Sequence, residues 1–408
     1  MKALVLCGGL PQVALINELK SRGIYTILAD MNDQVLGRQY ADQFYAVSVL
    51  DIQAVREVAQ KENVDFILTA CADQVLLVQA QVSEELGLPC YIDFQTAKAV
   101  SSKEIMKKVF IDNDIPTSKY VVMDNFDEDK IRGFEYPLIV KPVDSYSSRG
   151  VCKVFNKQDL EISFKHAVEI SRTNTAIVEE FVDGEELTID VYIEEGKPHI
   201  LCMCNTDKIP GNDKFVICRT RYPGKVSKLL ESKIQDIVSK IVKAFNLINS
   251  PMLVQLITDG ENISVVEFCA RTGGGEKFKL VKEVSNFDVI KALVDLTLGK
   301  KPHVEKFKLE KYIVNEFLYC TPGVFDHLLG FEQLKEENII KEFYQLKSKG
   351  TVLNEAKCSG DRVAYFTIEC DTKQELKEKY DYIDDVIRVV DCEGNDILRH
   401  DLLNNVIF

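Results

Sequence analysis

Gln255 and Glu267 stand in two apolar runs, Met252-Leu-Val-Gln-Leu-Ile257 and Val265-Val-Glu-Phe-Cys-Ala-Arg271. Each run carries one side chain whose oxygen suits a hard cation. Thr258-Asp-Gly-Glu-Asn262 joins them, a turn-rich link of the kind that closes an antiparallel hairpin. Paired in that way, Gln255 and Glu267 can point to one face. Magnesium is commonly shared between one or two protein groups and nucleotide phosphates. Arg271 follows Glu267 by four residues, and Gly273-Gly-Gly275 comes next. A metal ligand, a phosphate-facing cation and exposed backbone therefore fall in one short piece.

Three further pieces fit a nucleotide. Lys103 lies near a helix start and Lys141 near a strand end. The loop Asp144-Ser-Tyr-Ser-Ser-Arg-Gly150 offers Ser145, Ser147, Ser148 and the backbone at Gly150 to wrap a polyphosphate. It lacks the G-x-x-x-x-G-K-[ST] spacing of a P-loop. Glu179 to Glu186 puts acids at both ends of a strand-turn-strand. A backbone edge from Glu180 to Val182 can read adenine, and an acid beyond it can hold ribose hydroxyls. Singly, these read more readily as solvated lysines, a plain turn and a charged hairpin. Their order along the chain points to one site.

The elements that must position these groups follow from periodicity and turn chemistry. Residues 1–95 alternate strand and helix: strands at 3–6, 25–30 and 65–69, helices at 13–20 and 54–60. That is a βαβ series and predicts a parallel sheet covered by helices. Gly8-Gly9 sits where a ligand can meet a helix N-terminus, but the dinucleotide pattern G-x-G-x-x-G is absent. Ser101 with Glu104 three residues on reads as a capping box for a helix reaching 113. Strands follow at 136–142, 151–155, 176–184, 186–193 and 200–204, with a helix at 157–171. The mixed charge, Gly and Pro of 206–225 predict a loop near the site. Within it Lys208, Lys214, Arg219 and Arg221 are candidates for a substrate carboxylate, since Arg offers a planar fork. An amphipathic helix is expected at 228–245 and further helices at 276–284 and 286–298. From about 308 strands and short helices alternate, with a late strand at 362–368 opening on Arg362, another carboxylate candidate.

The whole chain narrows the function classes. Its 408 residues exceed one small core and predict two to four packed subdomains. Hydrophobic content of 46% and charged content of 28% are those of a globular protein. A net charge of -14 argues against a general nucleic-acid or anionic-membrane binder. Twelve cysteines without a CxxC pair read as buried reduced thiols. No apolar run approaches the roughly 20 residues of a membrane span. A cytoplasmic protein is expected.

Together these pieces resemble the ATP-grasp superfamily, in its carboxylate–amine ligase branch, over nearly the whole chain. The resemblance implies an α/β and α+β protein with an N-terminal Rossmann-like pre-ATP-grasp domain (1–95). It implies an ATP-grasp core (96–305, small lid subdomain about 115–182) and a C-terminal α+β subdomain (306–408) completing the substrate site. It implies that Lys103 and Lys141 hold phosphates and that the 145–150 loop closes over the triphosphate. Glu179 would lie by the adenine amino group, Glu180 and Val182 on the base edge, and Glu186 on the ribose. Gln255 and Glu267 would be the magnesium (or manganese) ligands. Arg271 would steady the transferred phosphate, and Gly273 and Gly274 would lie beside the substrate. Two positions depart from the family pattern: Gln255 where many members carry an acid, and Cys269 where most carry asparagine. The implied activity is an ATP-dependent ligase acting on small-molecule carboxylate and amine substrates, with a homodimer as the family's assembly. Two alternative readings are a bicarbonate-activating, carbamoyl-phosphate synthase-like enzyme and a nucleotide sensor without turnover.

Overall fold

Short apolar runs separated by amphipathic helices fold as parallel strands at the N-terminus. The structure is a computed structural model and describes residues 1–145, 149–211, 215–307 and 309–403. Strands β1 (Lys2–Leu6), β2 (Tyr25–Asp30), β3 (Gln43–Ala46) and β4 (Phe66–Leu68) form a parallel sheet in the order β3-β2-β1-β4. Leu4, Val5, Ile27, Leu28 and Phe66 are fully buried, as helix cover on both faces requires. Gly8, just after β1, has its space filled. A Cβ there would stand 2.5 Å from Val35 Cγ1, its N–H donates to Asp30 Oδ2, and its carbonyl accepts from Gly37 N–H. This glycine serves close chain packing where a dinucleotide phosphate would need room.

The second sheet is antiparallel, built from β5 (Tyr120–Met123), β6 (Leu138–Pro142), β7 (Cys152–Val154) and β8 (Ala176–Glu180) in the order β5-β8-β6-β7. Leu160, Phe164 and Ala167 of the helix Lys157–Ile170 pack on Met123, Leu138, Val140 and Val178. Asn156 caps that helix by accepting from Asp159 N–H, worth about 1 kcal/mol.

The largest sheet positions the site. Its strands are drawn from β9 (Glu185–Glu194), β10 (Lys197–Lys208), β11 (Ile217–Tyr222), β12 (Ser250–Thr258) and β13 (Ile263–Cys269), then from the C-terminal region. That region contributes β14 (Tyr312–Leu318), β15 (Gly323–Leu329), β16 (Glu342–Gln345), β17 (Val352–Leu353), β18 (Ala364–Cys370) and β19 (Arg388–Asp391). Eight strands pair antiparallel in the order β13-β12-β9-β10-β11-β14-β18-β16, while β15 joins β17 and β19 in a small sheet of its own. Alternation along β9 separates two faces. Leu187, Ile189 and Val191 enter an apolar core with Val254, Phe268 and the helices Lys103–Asp112 and Lys228–Ala244. Glu186, Thr188 and Asp190 look the other way, across the face that carries Gln255 and Glu267.

Two local expectations change. The predicted loop at 206–225 is strand in part: β10 runs to Lys208 and β11 covers Ile217–Tyr222. The charges that read as loop are paired across strands: Lys208 with Glu186, Arg221 with Asp207, Arg219 with Glu316. Ser101 closes the helix Phe94–Ser101. The cap of the next helix is Ser102, whose Oγ accepts from Ile105 N–H at 3.4 Å.

Candidate functional site

The β12–β13 hairpin sets Gln255 directly opposite Glu267, so both side chains share a face. Gln255 also pairs with Thr188 on β9, two residues beyond Glu186. Gln255 Nε2 donates to Glu186 Oε1 at 3.4 Å, which leaves the amide oxygen as the group able to meet a cation. Glu186 Oε2 in turn lies 2.6 Å from Lys208 Nζ. On the other side Lys103 Nζ is 3.5 Å from Glu267 and donates to the Ser145 carbonyl at 2.7 Å. Ser145, Lys103, Glu267, Gln255, Glu186 and Lys208 thus form one continuous line of polar groups. Among the described residues no group of three His, Cys, Asp or Glu could hold a metal ion. One carboxylate and one amide oxygen still suit a cation that keeps water and phosphate as its other ligands.

Lys141 and Glu179 form a second cluster, on the neighbouring strands β6 and β8. Lys141 Nζ lies 2.9 Å from Glu179 Oε1. Glu179 Oε2 accepts from Ser118 Oγ at 2.8 Å and from Lys107 Nζ at 3.3 Å. Burial pushes the Glu179 carboxyl up, but the two ammonium groups outweigh it and hold it at about 2. Burial brings the Lys107 ammonium down to about 8 despite that carboxylate. Lys107 was not among the sequence candidates, although it lies four residues after Lys103 and so on the same helix face. Where β8 ends, Glu180 N–H donates to the Lys119 carbonyl and Phe181 N–H to that of Pro137. No partner is present for the Val182 N–H among the described residues. Lys153 Nζ sits 3.4 Å from the Phe181 ring centre, and Phe181 stacks toward Phe215 at 6.3 Å.

Arg271 is held by a residue distant in sequence. Its Nε and Nη2 donate to the two carboxylate oxygens of Asp73 at 2.7 and 2.5 Å, and its Nη1 to the Thr272 carbonyl. The Gly273 N–H is directed at Asp190 Oδ1, 3.4 Å away. Lys277 Nζ lies 3.4 Å from Asp190 and donates to Thr188 Oγ1 at 2.9 Å. A Cβ on Gly273 would stand 2.8 Å from Lys277 Cγ, whereas one on Gly274 would meet nothing within 4 Å. Gly274 therefore presents open backbone, while Gly273 is packed over a buried ion pair. Asp73, Asp190 and Lys277 escaped the sequence reading. Only Asp190 had a signal, the alternation Glu186-x-Thr188-x-Asp190.

The remaining candidates fall elsewhere. Gly150 adopts a positive φ of 75°, and a Cβ there would meet Ile170 Cδ1 at 2.9 Å, which is reason enough for glycine. Arg219 and Arg221 pair in register with Asp207 and Asn205, one position off the row of Thr206 and its partner Glu186, and at the strand ends both line one cavity with Glu186 and Lys208. Arg219 is buried in a fork on Glu316, at 2.6 and 3.0 Å, and also donates to the Leu402 carbonyl. Arg362 lies 3.6 Å from the Phe317 ring centre and donates to Tyr319 Oη at 3.1 Å. Ser147, Ser148 and Lys214 lie outside the described residues. A cavity of about 380 Å³ opens at the ends of β9, β10 and β11, lined among others by Glu186, Asn205, Lys208 and Arg221.

Residues 134–279 match the ATP-grasp domain family. The chain is 26% identical to the formate-dependent phosphoribosylglycinamide formyltransferase of Sulfurisphaera tokodaii over 284 residues, 66% of this chain and 70% of that protein. A longer multifunctional relative is matched over 15% of its own length. Among solved structures, the L-amino acid ligase from Bacillus licheniformis superposes with a TM-score of 0.80 at 18% identity, covering 96% of this chain and 98% of that one. The biotin carboxylase domain of the Hydrogenobacter thermophilus 2-oxoglutarate carboxylase, solved with MgADP and bicarbonate, gives 0.77 at 15% identity, covering 98% and 92%.

Proposed function

Because the chain is an ATP-grasp protein of the carboxylate–amine ligase branch, we propose that it activates a carboxylate as an acyl phosphate, couples it to an amine, and releases ADP and phosphate. The observation that carries this reading is the continuous line from Ser145 and Lys103 through Glu267 and Gln255 to Glu186 and Lys208, with Arg271 after the same hairpin.

A carboxylate is a poor acyl donor because its leaving group would be oxide. Moving the γ-phosphoryl group onto it supplies a good one. The transferring group is stabilised by charge placed in advance rather than by a protein nucleophile. In this reading Lys103 and Lys141 face the phosphates, and Glu186 meets the ribose. Val182 offers a backbone donor to the base. Gln255 and Glu267 would hold magnesium or manganese, which when bound neutralises phosphate oxygens. Arg271 would meet the transferred phosphate and, with the open backbone at Gly274, the charge that develops as the amine attacks. Among the described residues no helix is long and apolar enough to cross a membrane. We place the protein in the cytoplasm, acting on small molecules, with its domains divided near residues 95 and 305.

A phosphate-release screen of carboxylates against amines with Mg-ATP tests the proposal. ADP and phosphate should appear only when both co-substrates are present, and Glu267→Gln should cut the rate by about 100-fold or more. Release of AMP and pyrophosphate would refute it. The structural likeness to a bicarbonate-bound carboxylase domain keeps a second reading open. ATP hydrolysis that depends on bicarbonate and needs no amine would favour that reading.

A further inference from the structure

Asp73 is the first residue of the helix Asp73–Leu86, which packs on the N-terminal parallel sheet, yet its carboxylate is spent on Arg271, 198 positions away. The contact is a two-pronged fork, with Nε on Oδ1 at 2.7 Å and Nη2 on Oδ2 at 2.5 Å. The Thr272 carbonyl takes a third donor at 2.8 Å. Of the five N–H bonds of a guanidinium, two have no partner among the described residues and remain for a ligand. The plane of the group is fixed on two sides. Side-chain exposures of 13% for Arg271 and 23% for Asp73 keep both partners within reach of the cleft. The same helix end also meets the connection that leads into β8. Gln74 Oε1 accepts from Arg172 Nη2 at 2.6 Å, and Arg172 pairs with Asp144 beside Ser145.

We propose that Asp73 is the positioning residue for Arg271: its carboxylate holds the guanidinium so that the two remaining N–H bonds face the γ-phosphate of bound ATP. This rests on the ligase reading above, in which Arg271 meets the transferred phosphate. An arginine released from its fork has several rotamers and loses the fixed direction that makes its charge effective.

The experiment compares the affinity of the purified protein for Mg-ADP with that for the magnesium complex of β,γ-imido-ATP, by calorimetry. It uses wild type, Asp73→Asn, Arg271→Ala and the double variant. Asp73→Asn should lower the preference for the triphosphate by about 10-fold, in the range seen when a supporting partner is removed, and leave ADP affinity unchanged. Arg271→Ala should lower it at least as far, and the double variant no further. Unchanged ADP binding also certifies the fold. Where Asp73→Asn fails to fold, Asp73→Ser replaces it. An unchanged preference in the Asp73 variant overturns the proposal, as does one in Arg271→Ala, or two losses that simply add. Failure of wild type to bind either nucleotide refutes the ATP reading itself. AMP and pyrophosphate as products would refute the ligase chemistry while leaving this ratio intact, so the two failures are separable.

Discussion

Glu179→Gln tests the electrostatic core of the second sheet. Glu179 is 5% exposed, Lys141 6% and Lys107 1%, so one carboxylate and two ammonium groups share a nearly dry space. Gln keeps an acceptor for Ser118 but removes the carboxylate charge that pairs with both lysines. Breaking a buried pair in this way costs about 3–5 kcal/mol near neutral pH. The pH dependence identifies the cause. In wild type the folded carboxyl sits at about 2 against an ordinary 4.5. Its folded value is depressed, so its contribution is present above pH 4.5 and is lost as pH falls toward 2, in all roughly 3 kcal/mol. The variant has no such term, and its deficit should shrink in acid. On the alkaline side Lys107, already down at about 8 beside the carboxylate, falls further without it, so the variant sheds that proton below pH 8 and the deficit shrinks as pH rises from neutrality toward 8. Amide hydrogen exchange in β5, β6 and β8 reads the local opening energy without assuming one cooperative transition. A deficit below about 1 kcal/mol, or one that stays flat from pH 5 to 9, would refute this account of the cluster.

Two further substitutions separate packing from binding. Gly273→Ala drives a Cβ to 2.8 Å from Lys277 Cγ, near the root of a helical side chain that cannot swing away. A loss of about 1–3 kcal/mol in thermal stability is expected, with ligase turnover falling by more than 10-fold while Mg-ATP still binds, measured by melting with and without nucleotide. Arg219→Met leaves Glu316 buried without its guanidinium. It should destabilise by about 3–5 kcal/mol in a urea titration followed by circular dichroism. The folded fraction should keep its KM for the carboxylate substrate, because the Arg219 guanidinium is committed to Glu316 and the Leu402 carbonyl.

The parts legible in the sequence were those written in local periodicity. The hairpin that faces Gln255 with Glu267 needs only two alternating runs and a turn between them. The N-terminal parallel sheet needs only short apolar strands spaced by helices. The strands of 206–225 were missed because their charges look like solvent-facing loop until Glu186, Asp207 and Glu316 are placed beside them. No residue near Arg271 announces Asp73, and no residue near Glu179 announces Lys107. Ion pairs are chosen by tertiary approach, and residue type alone leaves many partners open. The reading of Glu179 shows this limit well. The family resemblance set it by the adenine amino group, whereas in the structure each of its oxygens already meets a lysine.

Cys269 bears on how a metal ion would enter this cleft. It stands two residues after Glu267, where the family pattern has an oxygen ligand, and shares a face with Glu267 along β13. Burial pushes its thiol well above the ordinary range, and Asp73 and Glu267 add to the shift against the pull of Arg271. It therefore stays protonated at neutral pH, without the charge or the hardness that magnesium requires. Glu267 is left as the single carboxylate of the hairpin pair, and part of its field is cancelled by Lys103 at 3.5 Å. An amide and one partly neutralised carboxylate bind a divalent cation weakly on their own. In the proposed ligase a triphosphate would bring the missing negative charge, so cation and nucleotide are expected to bind together, each raising the affinity of the other by the same factor. The positive groups proposed to flank the phosphates would then oppose a charge already reduced by the metal, so no second acid would be needed at position 269.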